Sequence, residues 1–181
     1  MPDATSPIAA RWIQRWLIVI GLMVYAMILI GGATRLTDSG LSITEWAPLK
    51  GALPPLSEQA WLSEFEKYKA TAEFQQQNYN MTMSEFQFIY WWEWGHRLFG
   101  RLIGLVAIGG FIWFAAMRWL STKWAARLGV LIALGGLQGF IGWWMVASGI
   151  GETDRLDVAP YRLMTHFGLA LLIIAITAWF W

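Results

Sequence analysis

The stretch YWWEWGHRLFGR, residues 90 to 101, sets Glu93, His96, Arg97 and Arg101 among tryptophans at the head of a long apolar run. An ionisable side chain inside a membrane span costs about 2.5 to 3.5 kcal/mol on insertion scales, so each is a functional candidate from the outset. Glu93 precedes His96 by three residues, which puts both on one helical face. The second of the chain's two histidines, His166, lies within PYRLMTHFGLALL. With no cysteine among 181 residues, disulfides, thiolate metal sites and cysteine nucleophiles are excluded. A borderline metal then has to use one or both imidazoles, with carboxylates as the remaining donors.

The elements that must position these groups follow from composition. The chain is 57% hydrophobic and 14% charged, against about 25% charged in ordinary soluble domains. A net charge of +1 gives no basic field for nucleic acid. Four apolar stretches, about 14–33, 86–117, 124–147 and 160–181, are each long enough for a hydrocarbon core of about 30 Å, which takes roughly 20 helical residues. The first apolar run is too long for a signal peptide, whose core is about 7 to 15 residues, and reads as a retained helix. The expectation is an all-α, integral membrane four-helix bundle, one domain over residues 1–181, with a long outer loop at 34–85. Arg11 and Arg15 at one end and Arg118, Lys123 and Arg127 in the second connector mark the cytoplasmic side, with both termini of the segment. The segment from Arg35 to Glu85 has four basic and seven acidic residues, and SGIGETDRLDVAP one and three, so both belong outside.

Within the outer loop, the two prolines of GALPPL stop any helix, and Ser57 can cap a following one. Trp61, Phe65 and Tyr68 recur at i, i+4, i+7, which predicts an amphipathic helix on the membrane surface or over the bundle, or else a peripheral helix covering apolar residues of the loop. Ser84 to Gln87, SEFQ, reads as a capping box that opens the second span. Gly100 with Gly104, and Gly135 with Gly139, form small-xxx-small pairs of the kind that pack helices closely in lipid.

At 1.5 Å per residue, His96, eight past Phe88, and His166, six past Pro160, differ in depth by only roughly 3 Å. The second and fourth spans run in the same direction, so the imidazoles can face one another across a bundle, where cofactor sites are built from facing helices. Two opposed neutral imidazoles suit a haem iron, because the macrocycle brings the other four ligands. Gly100, one turn below His96, leaves space for a flat ring. Arg162, one turn above His166, can bond a propionate, and Arg97 and Arg101 are further candidates; snorkelling to the surface is the alternative for all three. The E-x-x-H spacing also occurs in di-iron bundles, but those need several further glutamates, and Glu93 is the sole carboxylate in these spans. Glu93 is left with three duties, orienting an imidazole, relaying a proton or meeting a positive substrate group, beside a plain ion pair with Arg97.

Four stretches taken together, GGATRLTDSGLSITEWAPLKGALPP (31–55), FIYWWEWGHRLFGRLIG (88–104), LQGFIGWWMVASGI (137–150) and PYRLMTHFGLALL (160–172), resemble the haem A synthase family, in particular its proteobacterial and mitochondrial branch. The resemblance runs in order from Gly31 onward. It implies oxidation of the C8 methyl of haem O to a formyl group, giving haem A for terminal oxidases, at the bacterial inner membrane. His96 and His166 match the family's histidine-ligand positions and Glu93 its catalytic glutamate; the lack of cysteine agrees with this branch. The family has two similar four-helix halves, and this chain matches the first, with resident haem b assigned to the other. The chain is therefore expected to be truncated after AITAWFW. Implied partners are haem O, membrane lipid, and a second four-helix half, another copy of the chain or haem O synthase. A four-helix bis-histidine cytochrome that only passes electrons is the alternative, and a fragment that binds nothing is a third reading.

Overall fold

The computed structural model describes residues 6–150 and 155–181. Glu152 and Asp154, two of the acids that entered the orientation count, lie outside the described residues. Six α-helices follow in order: α1 Pro7–Leu36, α2 Glu58–Lys69, α3 Ala72–Gln76, α4 Met83–Ala116, α5 Thr122–Val146 and α6 Pro160–Phe180, with a short 3-10 turn at Lys50–Ala52. No strand occurs among the described residues. α1, α4, α5 and α6 are long and apolar enough to cross a membrane, and the chain is a multi-pass membrane protein.

Hydroxyl caps open most of these helices. Ser6 accepts from the Ala9 amide at 3.1 Å, with Pro7 at the first helical position, where its missing N–H costs nothing. α1 therefore begins seven residues before the apolar run that betrays it. Ser57 caps α2 through the Ala60 amide, as its position in the sequence suggests. α4 opens two residues earlier than SEFQ implies: Glu85 accepts from the Thr82 amide at 2.8 Å and from its hydroxyl at 2.7 Å, while Thr82 Oγ1 accepts from the Glu85 amide. The capping box is thus Thr82 to Glu85. Glutamate brings a charged acceptor to the helix N-terminus where glutamine would bring a neutral one.

The chain divides into two compact units, one holding residues up to Ile28, Gly100–Phe140 and Phe167–Trp181, the other Leu29–Phe99 and Ile141–His166. Each of the four long helices contributes to both. In the first unit, Ile13, Leu17, Phe114, Trp124, Leu128 and Leu131 form one buried cluster. Ile20, Val24 and Ile173 form another, with Ile103, Val106 and Leu134 packed on it. Trp16 crosses from α1 to α4: its Nε1 donates to the Val106 carbonyl at 3.0 Å, and its ring meets Phe114 edge-on at 5.8 Å. This approach needs Gly110, where a Cβ would lie 2.1 Å from Trp16 Nε1. Gly104, Gly135 and Gly139 have nothing within 4 Å of an added Cβ, so among the described residues no neighbouring helix closes on them. Gly135 and Gly139 belong, with Leu105 and Ile112, to the exposed apolar surface that a membrane span presents to lipid.

In the second unit, α2 turns its apolar face onto the first turns of α4. Phe65 and Tyr68 stack on Phe86 at 4.8 and 5.4 Å, and Trp61 meets Tyr90 at 4.9 Å. The amphipathic helix thus packs on its own chain, covering Phe74 of the loop as well as the start of α4. Beneath it, Glu73 of α3 is 3% exposed, and Tyr68 accepts from Asn78 Nδ2 at 2.8 Å. Burial first, then the charge of Asp38, push the Glu73 carboxyl up to about 8. Burial pushes the Tyr68 phenol up as well.

A Cβ at Gly110 displaces a ring already fixed by a hydrogen bond. Gly110→Ala is expected to cost about 1 to 3 kcal/mol, typical of overpacking, whereas Gly109→Ala, with nothing within 4 Å, should not lower stability. Thermal unfolding of the two variants in one detergent compares them. The Glu73 prediction follows from its raised folded pKa: the unfolded chain loses this proton near pH 4.5, the folded one near 8, so stability is full below about 4.5 and falls as pH rises to about 8. Glu73→Gln should flatten that slope and leave residues 58–80 more resistant to protease at pH 8 than wild type.

Candidate functional site

The loop after α1 is delivered to α4 by the way α1 ends. Asp38 takes a left-handed conformation, φ 49°, and the Ser39 and Asp38 amides donate back to the carbonyls of Thr34 at 3.0 Å and Arg35 at 3.3 Å. This is a Schellman turn with aspartate in the position glycine usually fills. Arg35 bonds Asp38 at 2.9 Å and reaches Asp157 at 3.1 Å, on the segment leading into α6. The reversal brings Ser42 and Ile43 against α4.

There they meet Glu93. Its Oε2 accepts from the Ser42 hydroxyl and from the Ile43 amide, each at 2.7 Å, and its Oε1 pairs with Arg97. Arg97 in turn donates to the carbonyls of Ile43 at 3.0 Å and Glu45 at 3.1 Å. One carboxylate and one guanidinium, a turn apart on α4, thus hold four polar groups of residues 42–45. Glu93 is 3% exposed and Ser42 1%. Burying these charges is tolerable because the pair is closed and the remaining lone pairs are satisfied. From α2, Lys67 adds a bridge to Glu45 at 3.0 Å. Of the settings open to Glu93, the structure has it in the pair with Arg97.

His96 lies one turn further along α4. Glu93 does not bond it, and His96 Nδ1 is buried without a hydrogen-bond partner. The ring packs against α1, where a Cβ on Gly31 would stand 3.1 Å from His96 Cε1. His166 on α6 has the same relation to α5: a Cβ on Gly142 would stand 2.9 Å from its Cε1. Both rings are partly buried in the same unit.

The arginines divide. Arg97 is committed to the loop. Arg162 donates Nη1 to the Trp144 carbonyl at 2.6 Å and Nε to Tyr161 at 3.1 Å, with its guanidinium over the Trp144 ring at 4.5 Å. Its Nη2 takes part in none of these bonds. Gly100 and Arg101 belong to the first unit, whereas His96, Arg97, Arg162 and His166 belong to the second. A Cβ on Gly100 would meet the Met27 methyl at 3.3 Å, so that glycine admits a methionine of α1.

Gly31, Gly142, Ser42 and Ile43 are missing from the sequence reading. A glycine in GGATR or LQGFIGWW announces flexibility or packing, and only the neighbouring helix says which side chain fills its space. Among the described residues no three of His, Cys, Asp and Glu come together to hold a metal. Two imidazoles without further protein ligands fit an ion that carries most of its own ligands, as porphyrin iron does.

Comparison with known proteins is consistent with that chemistry. Residues 14–181 match the family model COX15-CtaA, described as cytochrome oxidase assembly protein. The chain is 71% identical over 99% of its length to a haem A synthase of Hyphomonas neptunium, covering 51% of that protein. It is 57% identical to the haem A synthase of Maricaulis maris, over 97% of this chain and 51% of the relative. For Dinoroseobacter shibae the identity is 58%, over 98% and 46%. The chain spans about half the length of these curated relatives. No solved structure matches it.

Removing the Glu93 carboxylate leaves Arg97, the Ser42 hydroxyl and the Ile43 amide without their partner. Breaking a buried pair in this way costs about 3 to 5 kcal/mol. Glu93→Ala is therefore expected to free residues 39–46, with much faster hydrogen exchange at the Ile43 amide and new protease cleavage there; Ser42→Ala should give a smaller change in the same direction.

Proposed function

Because the chain belongs to the COX15-CtaA family of cytochrome oxidase assembly proteins, we propose that it acts in the conversion of haem O to haem A, holding an iron porphyrin between His96 and His166. The observation that carries this reading is the pairing of the chain's two histidines in one unit, each partly buried on its own helix and each backed by a glycine. Its relatives are named haem A synthases, and the family resemblance implies the reaction, oxidation of a methyl group on the porphyrin to a formyl group. When bound, the iron porphyrin supplies the redox chemistry and is itself the molecule altered.

The chain's own residues then have separate duties. His96 and His166 would hold the iron. Arg162, stacked on Trp144, is the cation for a propionate. Glu93 and Arg97 hold residues 42–45 against α4 beside His96, which keeps water and other ligands from that side. In this role Glu93 is a positioning residue; a proton-relay duty, one of those open to it from its residue type, requires the loop to leave the carboxylate. The basic residues Arg11, Arg15, Arg118, Lys123 and Arg127 put that end of the helices at the cytoplasmic face of the inner membrane, and the histidines toward the opposite face.

One observation favours a second reading, a bis-histidine cytochrome that passes electrons. The carboxylate nearest His96 is fully engaged, which leaves electron transfer with no missing part. Mass analysis of haems extracted after supply of haem O separates the two, since oxidised haem appears only under the first.

In the purified membrane protein, His96→Ala and His166→Ala are each expected to lose most of the Soret absorbance seen in wild type. A wild type without a Soret band, or both variants with an unchanged one, ends the haem reading.

A further inference from the structure

Two unrelated helix pairs present the same local arrangement. At Gly31 an added Cβ would lie 3.1 Å from His96 Cε1 and 3.6 Å from Nδ1. At Gly142 it would lie 2.9 Å from His166 Cε1, 3.4 Å from Nδ1 and 3.7 Å from Nε2. In each case the Cε1–Nδ1 edge of an imidazole lies on a bare stretch of helix backbone. Chance crowding does not account for this, because Gly32, Gly95, Gly104, Gly135, Gly136 and Gly139 have nothing within 4 Å. The helical glycines that touch other side chains meet Thr177, Met27 and Trp16. Glycine inside a helix costs about 0.5 to 1 kcal/mol relative to alanine, so its use where the helix surface is needed by a ring has a physical reason.

We propose that Gly31 and Gly142 are positioning residues that set the planes of the two imidazoles. The ring of each histidine is a flat plate on one soft torsion, and contact with glycine backbone limits how far it can turn. A Cβ closes that position. Real Cβ atoms hardly ever come within 3.0 Å of another heavy atom, so at Gly142 the ring has to move, and at Gly31 it has to yield by a few tenths of an ångström. Steric repulsion therefore orders the effects: larger at Gly142, smaller at Gly31, none at Gly32 or Gly139. The angle between two axial imidazole planes governs the splitting of the iron d orbitals, so a rotated ring is visible in the iron's spectrum even while both ligands remain.

This rests on the reading of His96 and His166 as axial ligands, and the test separates the two. Gly31→Ala, Gly142→Ala and the controls Gly32→Ala and Gly139→Ala are loaded with haem and compared by electron paramagnetic resonance and midpoint potential. The expected result is altered g-values or partial high-spin signal in Gly142→Ala, a smaller change in Gly31→Ala, and wild-type spectra in both controls. Wild-type spectra in all four variants overturn the proposal. A haem-free readout covers the case in which wild type takes up no haem. Because the chain has two histidines, 15N-histidine labelling gives a spectrum of two residues; Gly31→Ala should shift the His96 resonances alone and Gly142→Ala those of His166 alone. Unshifted or indiscriminately shifted resonances overturn the assignment whatever becomes of the haem reading. If an alanine variant folds poorly, its stability is compared in the His96→Ala or His166→Ala background, where the ring is gone. There the added methyl should cost nothing, and an undiminished loss also overturns the proposal.

Discussion

A carboxylate withdrawn from water has to recover its hydration from the protein, and Glu93 does so from a single neighbouring stretch of chain. Arg97 supplies the countercharge, and the Ser42 hydroxyl and Ile43 amide supply the donors. The requirement is mutual, since the carbonyls of Ile43 and Glu45 need the guanidinium as much as it needs them. A loop of some 46 residues between α1 and α4 would otherwise carry the entropy of a long connection. Held at this node and under the aromatic face of α2, it has a defined course past the start of α4. The remaining features of the second unit, including the Schellman turn at Asp38 and the bridge from Lys67, bring chain to that node or brace it.

The same node divides labour along α4. Three residues after Glu93, His96 is outside the hydrogen-bond network, with a buried nitrogen left unmatched. Polar groups in apolar surroundings are normally paired, and this one, among the described residues, is not. Its position is governed by shape: glycine backbone on one side, by the rule that also seats Trp16 on Gly110 in the first unit. Charge pairing thus fixes the loop, and close packing on glycine fixes the rings.

The acid under α2 follows a third regime. Glu73 has neither a countercharge nor a full set of donors, and burial pushes its carboxyl up to about 8, so the neutral form is the one that suits the fold near neutral pH. Two buried glutamates in one unit therefore differ by their neighbours alone: one is paired and bonded, the other sits below Tyr68 and Asn78.

Much of the architecture was legible in the residues. Hydropathy marked the four long helices because the cost of exposing backbone and charge to hydrocarbon is local and additive along the chain. The recurrence of Trp61, Phe65 and Tyr68 predicted α2, and the Ser57 cap its start, since both depend on groups within one or two turns. The misplaced capping box shows the limit of that reading: TMSE and SEFQ both offer a legitimate box, and the actual choice was Thr82. Residue types alone also singled out His96, His166 and Glu93, because few other side chains in these spans can carry charge or bind a metal. What the tertiary structure decided was every relation across elements. It gave Glu93 to Arg97 and to a loop fifty residues distant, set Gly100 against Met27, and chose Gly31 and Gly142, out of many helical glycines, as the surfaces on which the imidazoles lie. The physical reason is that periodicity tells which side chains share a face of one helix, whereas contact between helices depends on their rotation and approach, which no spacing within a single helix encodes.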